Sequence, residues 1–251
     1  MKNKDIHNTI TATELKMNLG KYLDYVIDNH EVIITKHGGK AARLSPYITD
    51  MERYLFVKET SLDYSYGGMR VSYDEFIKIY EKSNLRMEYI NGEIHLLASP
   101  GVMHQKISRS LFLILNSYLA GRTCEVFFAP FDVHFYKQGF KDPDVMQPDL
   151  LIACDTNEKT NENGRYMGTP SLVIEIMSRG TRTKDMTFKL NTYMLSGVRE
   201  YWIVDPEAET VMVYGFKDHE IEISRMYRKG EALESYYFDG LRTETDKIFA
   251  P

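Results

Sequence analysis

The sequence is short of the features that would fix its class at a glance. It has two cysteines, Cys124 and Cys154, in separate predicted strands and without metal-type spacing. A disulfide framework is therefore not expected, and a reducing cytoplasm is the natural setting. No apolar run approaches the length of a membrane span, and the opening MKNKDIHNTITATEL lacks the apolar core of a signal peptide. The expectation is a soluble, cytoplasmic protein with no membrane partner. Internal repeats and low-complexity tracts are absent. Positive charge is not in excess, since 31 Lys and Arg meet 36 Asp and Glu for a net charge of −5. The whole molecule is thus no electrostatic nucleic-acid binder, and any DNA contact must use a local basic patch. What is present is core material: 43% of the 251 residues are hydrophobic, enough for one large domain or two smaller ones.

The chain is organised around residues 148–205. Two apolar runs there, 150–153 and 172–177, are short and bounded by turn residues, and read as buried strands. Each carries a carboxylate where a core strand should have none, Asp149 at the mouth of the first and Glu175 inside the second. A buried carboxylate without a counter-charge costs several kcal/mol, roughly, or is forced neutral. A divalent cation between the two acids removes both the burial cost and their repulsion, because hard cations take carboxylate oxygens and keep positions for water. The following segment reads as a helix that sets Asp185, Lys189 and Tyr193 four residues apart on one face. Two acids and a lysine make a phosphodiester-cleaving site.

Several spaced motifs carry a resemblance: Pro148-Asp149, Glu175-Ile-Met-Ser178, Asp185-xxx-Lys189-xxx-Tyr193 and Gly197-Val-xx-Tyr201-Trp202-xx-Asp205, preceded by Glu88-Tyr-Ile-Asn-Gly-Glu93 and Pro100-xxx-His104-Gln105. Together they resemble the Uma-type family of restriction-endonuclease-like proteins in the PD-(D/E)XK nuclease superfamily, over roughly residues 70–225. The resemblance implies an α/β fold, a mixed sheet flanked by helices, and Mg²⁺- or Mn²⁺-dependent hydrolysis of DNA to a 5′-phosphate and a 3′-hydroxyl. Its metal would be held by Asp149, Glu175 and the main-chain carbonyl of Ile176. The last lysine of the superfamily pattern falls on Met177, which carries no charge; the family places that lysine on the next helix, at the position of Lys189. By the same resemblance Glu88 or Glu93 would support the site or a second metal, while His104, in the first turn of a helix, either caps it or touches a phosphate. Taken singly, the two glutamates also read as ordinary hairpin acids. Ser178 either caps the next helix or binds DNA backbone, and Asp185 would orient Lys189. Arg179, Arg182 and Lys184 form the one basic cluster beside the site and would hold phosphates without reading bases.

Upstream, a short strand over 6–11 precedes a helix capped by Thr13, with Leu15, Leu19, Tyr22, Leu23, Val26 and Ile27 on one apolar face. Two apolar runs around Lys36-His-Gly-Gly-Lys40 then read as a hairpin. Ile10-Thr-Ala-Thr-Glu-Leu and Ile34-Thr-Lys-His-Gly38 make this small α+β (β-α-β-β) unit similar to the Phd/YefM antitoxins. That resemblance implies a homodimer, operator-DNA binding for which Lys16 and Lys21 are candidate phosphate contacts, and a toxin partner. The expected layout is an antitoxin-like domain over 1–48, a linker over 49–69 with a short piece near 51–58, and a nuclease domain over 70–251. A capping box at Ser72 and Glu75, an Asn91-Gly92 hairpin, a long helix over 103–119 and a half-buried strand over 131–136 are further expectations. Two other readings stay open: a DNA-binding regulator with a silent nuclease-like domain, and an antitoxin that sequesters a toxin.

Overall fold

The computed structural model describes residues 9–27, 32–44, 66–162, 164–177 and 185–249. The chain divides into two units, Met1–Leu62 and Asp63–Pro251. The piece expected near 51–58 lies outside the described residues.

In the first unit, strand β1 (Thr9–Thr11) leads directly into helices α1 (Ala12–Met17) and α2 (Leu19–Ile27), then strands β2 (Val32–Lys36) and β3 (Gly39–Leu44). β2 is central, parallel to β1 and antiparallel to β3. The N-cap is Thr11 rather than the expected Thr13: its hydroxyl accepts from Glu14 N–H at 3.1 Å. The apolar face is also not continuous, because the helix breaks at Asn18. Tyr22 and Val26 pack with Ile10 and Val32, whereas Leu19, Leu23 and Ile27 stay exposed.

The second unit opens on α3 (Tyr73–Tyr80), held by the expected capping box of Ser72 and Glu75. Strands β4 (Met87–Ile90) and β5 (Glu93–Leu96) follow, joined by Asn91-Gly92 with φ of 50° and 83°. Asparagine and glycine adopt those left-handed values most cheaply, so this pair makes the turn. Next come α4 (Val102–Leu119), β6 (Glu125–Phe128), β7 (Val133–Phe135), β8 (Asp144–Met146), β9 (Leu150–Ala153), α5 (Thr156–Lys159) and β10 (Leu172–Ile176). A π-helical turn, Asp185–Lys189, runs into α6 (Leu190–Leu195), and β11 (Glu200–Asp205), β12 (Thr210–Lys217), β13 (Glu220–Arg228), β14 (Ala232–Glu234), β15 (Arg242–Glu244) and α7 (Asp246–Phe249) complete the order.

The main sheet runs β13-β12-β11-β10-β9-β6, with β10 and β11 parallel and the other neighbours antiparallel. One face packs Leu150, Ile152, Leu172, Ile174 and Trp202 against Ile107, Leu111 and Leu115 of α4. The other packs Leu151, Val173 and Tyr201 against Val133, Phe135, Met146 and Tyr193. Strands covered on both faces have no polar side to show, so β9–β11 are apolar along their length except for Glu175 inside β10 and Glu200 and Asp205 at the two ends of β11. A second, antiparallel sheet runs β5-β4-β8-β7. Among the described residues, no helix is long and apolar enough to cross a membrane.

Two further expectations need correction. Cys124 and Cys154 are joined in a disulfide. The register pairs Glu125 with Ala153, so the next pair outward brings the two cysteines face to face across β6 and β9. The strand over 131–136 is also not half-buried by alternation, because α3 covers its supposed solvent side. His134 is buried there with Nδ1 3.0 Å from the Tyr73 hydroxyl, and Asp132 takes the Tyr80 hydroxyl at 2.6 Å. Burial lowers the His134 pKa below its ordinary value, so folding favours the neutral ring beside the Tyr73 hydroxyl. The unfolded chain binds the extra proton first, and this part of the stability is full above pH of about 6.5 and is lost as pH falls below it. Replacing His134 with Gln is expected to flatten the dependence of the urea midpoint on pH between roughly 5 and 7; an unchanged profile would assign the effect to other groups.

Candidate active site

β10 is a central strand, and all five of its residues are buried, Glu175 included. A carboxylate in that position must meet donors or a positive charge. Glu175 meets both: Lys189 Nζ donates to its Oε1 at 2.7 Å and the Tyr193 hydroxyl donates to the same oxygen at 2.5 Å. Lys189 ends the π-helical turn and Tyr193 lies one turn on in α6, so the spacing of four delivers both to one acid. Burial, and then the neighbouring Glu175 carboxylate, raises the Tyr193 pKa well above its ordinary value and keeps it a donor. A π turn widens the helix locally, a geometry found often at functional sites.

Lys189 makes a second ion pair, at 2.9 Å, with Glu88 Oε1 from β4. Glu88 is fully buried and also accepts the Gln147 N–H at 3.2 Å. One ammonium thus sits between two buried carboxylates and ties α6 to both sheets.

Asp149 stands at the entrance to β9. The β9–β10 register pairs Leu150 with Ile174, so one step outward sets Asp149 across from Glu175. Its Oδ2 accepts the Ile176 N–H at 2.7 Å and contacts His104 Nε2 at 3.0 Å. Its Oδ1 has no hydrogen-bond partner among the described residues. His104 lies in the first turn of α4, and its other ring nitrogen, Nδ1, is buried without a partner among the described residues. Ile176, expected to lend its carbonyl, is thus joined to Asp149 through its N–H.

The structure therefore brings two linked groups side by side on neighbouring strands, Glu175, Lys189, Tyr193 and Glu88 in one and Asp149, Ile176 and His104 in the other. Glu93 joins neither. Its carboxylate pairs with Arg70 at 3.4 Å beside the hairpin turn. Ser178, Arg179, Arg182 and Lys184 lie outside the described residues, as does the side chain of Asp185. Lys16 and Lys21 are exposed on the helices of the first unit.

Two supporting groups escape sequence reading. Gln147 holds Glu88 through its main chain, and its side chain bridges Asp132 (2.8 Å) and Arg86 (2.9 Å). The one available signal was its place just before Pro148-Asp149. The other is a buried pair, Lys137 Nζ and Asp144 Oδ2 at 2.7 Å, joined by Thr192 Oγ1 at 2.6 Å and Asn91 Oδ1 at 2.6 Å. It locks α6 to the β4–β5 hairpin, and nothing in local sequence announces it.

Among the described residues, Asp149, Glu175 and Glu88 set three carboxylates against the ammonium of Lys189, an excess of two negative charges there when His104 is neutral. A dication of hard-oxygen preference offsets that excess. Among the described residues no three His, Cys, Asp or Glu side chains form a ready cage. Magnesium needs none, since it is held by one or two carboxylates, with water and substrate phosphates completing the shell. By charge and donor type, then, the residues fit such an ion.

The mixed sheet flanked by helices defines a restriction-endonuclease-like α/β fold. Residues 73–244 match the Uma2 family, described as "putative restriction endonuclease", and the chain belongs to that family. Residues 7–59 match the Phd/YefM family, antitoxins of type II toxin–antitoxin systems. A crystal structure from Anabaena variabilis, titled a "putative nuclease belonging to DUF820", superposes with a TM-score of 0.60 at 21% identity, covering 72% of this chain and 98% of that one. At that identity the likeness establishes the fold. Two uncharacterized Synechocystis proteins are similar in sequence. One, slr1290, is 22% identical over 166 residues, which is 66% of this chain and 84% of the relative. The other, sll1609, is 22% identical over 132 residues, or 52% of this chain and 72% of the relative.

Proposed function

We propose that this protein is a divalent-metal-dependent DNA endonuclease with an antitoxin-like module at its N-terminal end. The observation that carries the reading is the meeting of Asp149 and Glu175 at the mouths of β9 and β10, with Lys189 and Tyr193 on the Glu175 carboxylate. Asp149, Glu175 and the Ile176 carbonyl would hold Mg²⁺ or Mn²⁺. Such an ion, when bound, supplies Lewis acidity at a phosphoryl oxygen and a more acidic water. The chain's own groups do the rest. Lys189 offers positive charge to the phosphoryl group as negative charge builds there. Tyr193 fixes the orientation of Glu175, while Glu88 holds Lys189 in place. Arg179, Arg182 and Lys184 would grip the backbone of the DNA, and Lys16 and Lys21 would serve the N-terminal unit in the same way. Leu19, Leu23 and Ile27 recur every four residues along α2 and stay exposed, which supports a homodimer formed through that unit. A toxin partner would reveal itself as a small protein that co-purifies.

One observation favours a second reading, a DNA-binding regulator with a silent site: Lys189 is only 4% exposed and already engaged by two acids. Supercoiled plasmid separates the two. Nicking in Mg²⁺ or Mn²⁺ that stops in EDTA is expected for the endonuclease; binding without nicking under every metal condition would leave the regulator.

A further inference from the structure

The nuclease reading leaves open what the site accepts, and helix α4 bears on that question. Its eighteen residues, VMHQKISRSLFLILNSYL, contain no acidic side chain, in a chain whose net charge is −5. Buried Ile107, Leu111 and Leu115 turn one face to the sheet, which leaves Lys106 and Arg109 exposed on the other. Neither cation meets a carboxylate at ion-pair distance among the described residues. Three residues apart, they are neighbours on the helix surface, separated by about 4.5 Å along its axis. They lie on the side of the helix away from His104, which touches Asp149 at 3.0 Å, and Arg109 stands three residues before Phe112, its neighbour on the helix surface. Gly101 at the N-cap offers no side-chain acceptor. The first N–H groups of the helix, and the positive end of its dipole, thus have no side-chain cap, and the first turn lies by Asp149 through His104.

Two apolar side chains flank the same point. Phe128 ends β6, one residue before Ala129, whose N–H donates to the Asp149 carbonyl at 3.1 Å. Its ring is 56% exposed and braced by Phe112, which meets it edge-on at 5.3 Å between centroids. Met103, 52% exposed, immediately precedes His104. Large apolar groups held open to water beside unpaired cations match the two needs of an unpaired nucleic-acid strand, a stacking surface for a base and positive charge for the backbone. A paired duplex can use the ring only by unstacking a base step first, whereas an unpaired strand offers it a base face directly.

We infer that α4 is the track for the substrate strand. Lys106 and Arg109 hold its phosphates and Phe128 stacks on a base next to the scissile bond, so the enzyme takes DNA whose strands are locally separated. The inference rests on the endonuclease reading and specifies its substrate.

The test is fluorescence anisotropy of the full chain in EDTA, with a fluorescein-labelled single-stranded oligonucleotide and its duplex, over a range of KCl. Wild type is expected to bind the single strand more tightly. Phe128→Ala should weaken that binding roughly tenfold and leave its salt dependence unchanged. Lys106→Ala/Arg109→Ala should lower the slope of log affinity against log salt by about 1.4, at about 0.7 per phosphate contact on a single strand. All three residues are exposed, and circular-dichroism melts should confirm that the variants fold as wild type does. A wild type that nicks plasmid, with both variants matching it in affinity and slope, would overturn the track and leave the endonuclease standing. Preference for duplex with Phe128→Ala silent would overturn the stacking role and the strand separation. A wild type that neither binds DNA nor nicks it would end both readings together.

Discussion

Lys189→Met is expected to cost about 3–5 kcal/mol of folding stability, the usual price when one partner of a buried ion pair is removed. Lys189 Nζ is the shared counter-charge of Glu88, at 2.9 Å, and Glu175, at 2.7 Å, and both acids are buried. Methionine fills a similar volume but leaves the two carboxylates without the ammonium. Mutual repulsion and burial would then push at least one of them above its ordinary pKa. A group whose folded pKa is raised contributes most below its unfolded value and loses that contribution as pH climbs through the folded one. The variant should therefore be less impaired near pH 4 than near pH 8. Urea midpoints of wild type and variant at both pH values check this. A variant within about 1 kcal/mol of wild type at the higher pH would show that the ammonium does not balance the two acids, since breaking a buried pair costs more than that.

Asp149→Ala should abolish metal-dependent nicking, with a loss of at least roughly a hundredfold, because several kcal/mol of electrostatic assistance disappear with a ligand. The fold should survive. Asp149 is only partly buried, and its side chain makes two contacts, with Ile176 N–H and His104 Nε2. Leaving the Ile176 N–H unpaired costs about 1–3 kcal/mol. Asp149→Asn keeps an acceptor for that N–H, so it should melt closer to wild type yet remain inactive. Nicking rates with Mg²⁺ alongside thermal melts would separate the two effects. Full activity in either purified variant removes Asp149 from the chemistry.

Much of this site could be read from the chain because it breaks local rules. A glutamate between Ile174 and Ile176 contradicts its surroundings, and only a partner in space resolves the contradiction. The four-residue step from Lys189 to Tyr193 says that whatever meets one will meet the other. The choice between Glu88 and Glu93 was beyond such reasoning. Ile90 pairs with Glu93 across the hairpin, so both acids point to the same face of β4 and β5 and alternation cannot separate them. Position along the hairpin decides: Glu93 lies at the turn beside Arg70, while Glu88 lies deeper, where Lys189 arrives from another part of the chain. His134 misled for a related reason. Its strand alternates as a half-exposed strand should, but α3 covers the second face.

By itself the sequence determined the parts: which strands are buried, which acids are out of place in them, and which helix residues share a side. These depend on short-range spacing, which hydrophobicity and backbone geometry fix within a few residues. Only the tertiary structure decided the pairings. Lys189 with Glu88, Cys124 with Cys154 and Lys137 with Asp144 each depend on the register and packing of distant elements, which no local pattern encodes.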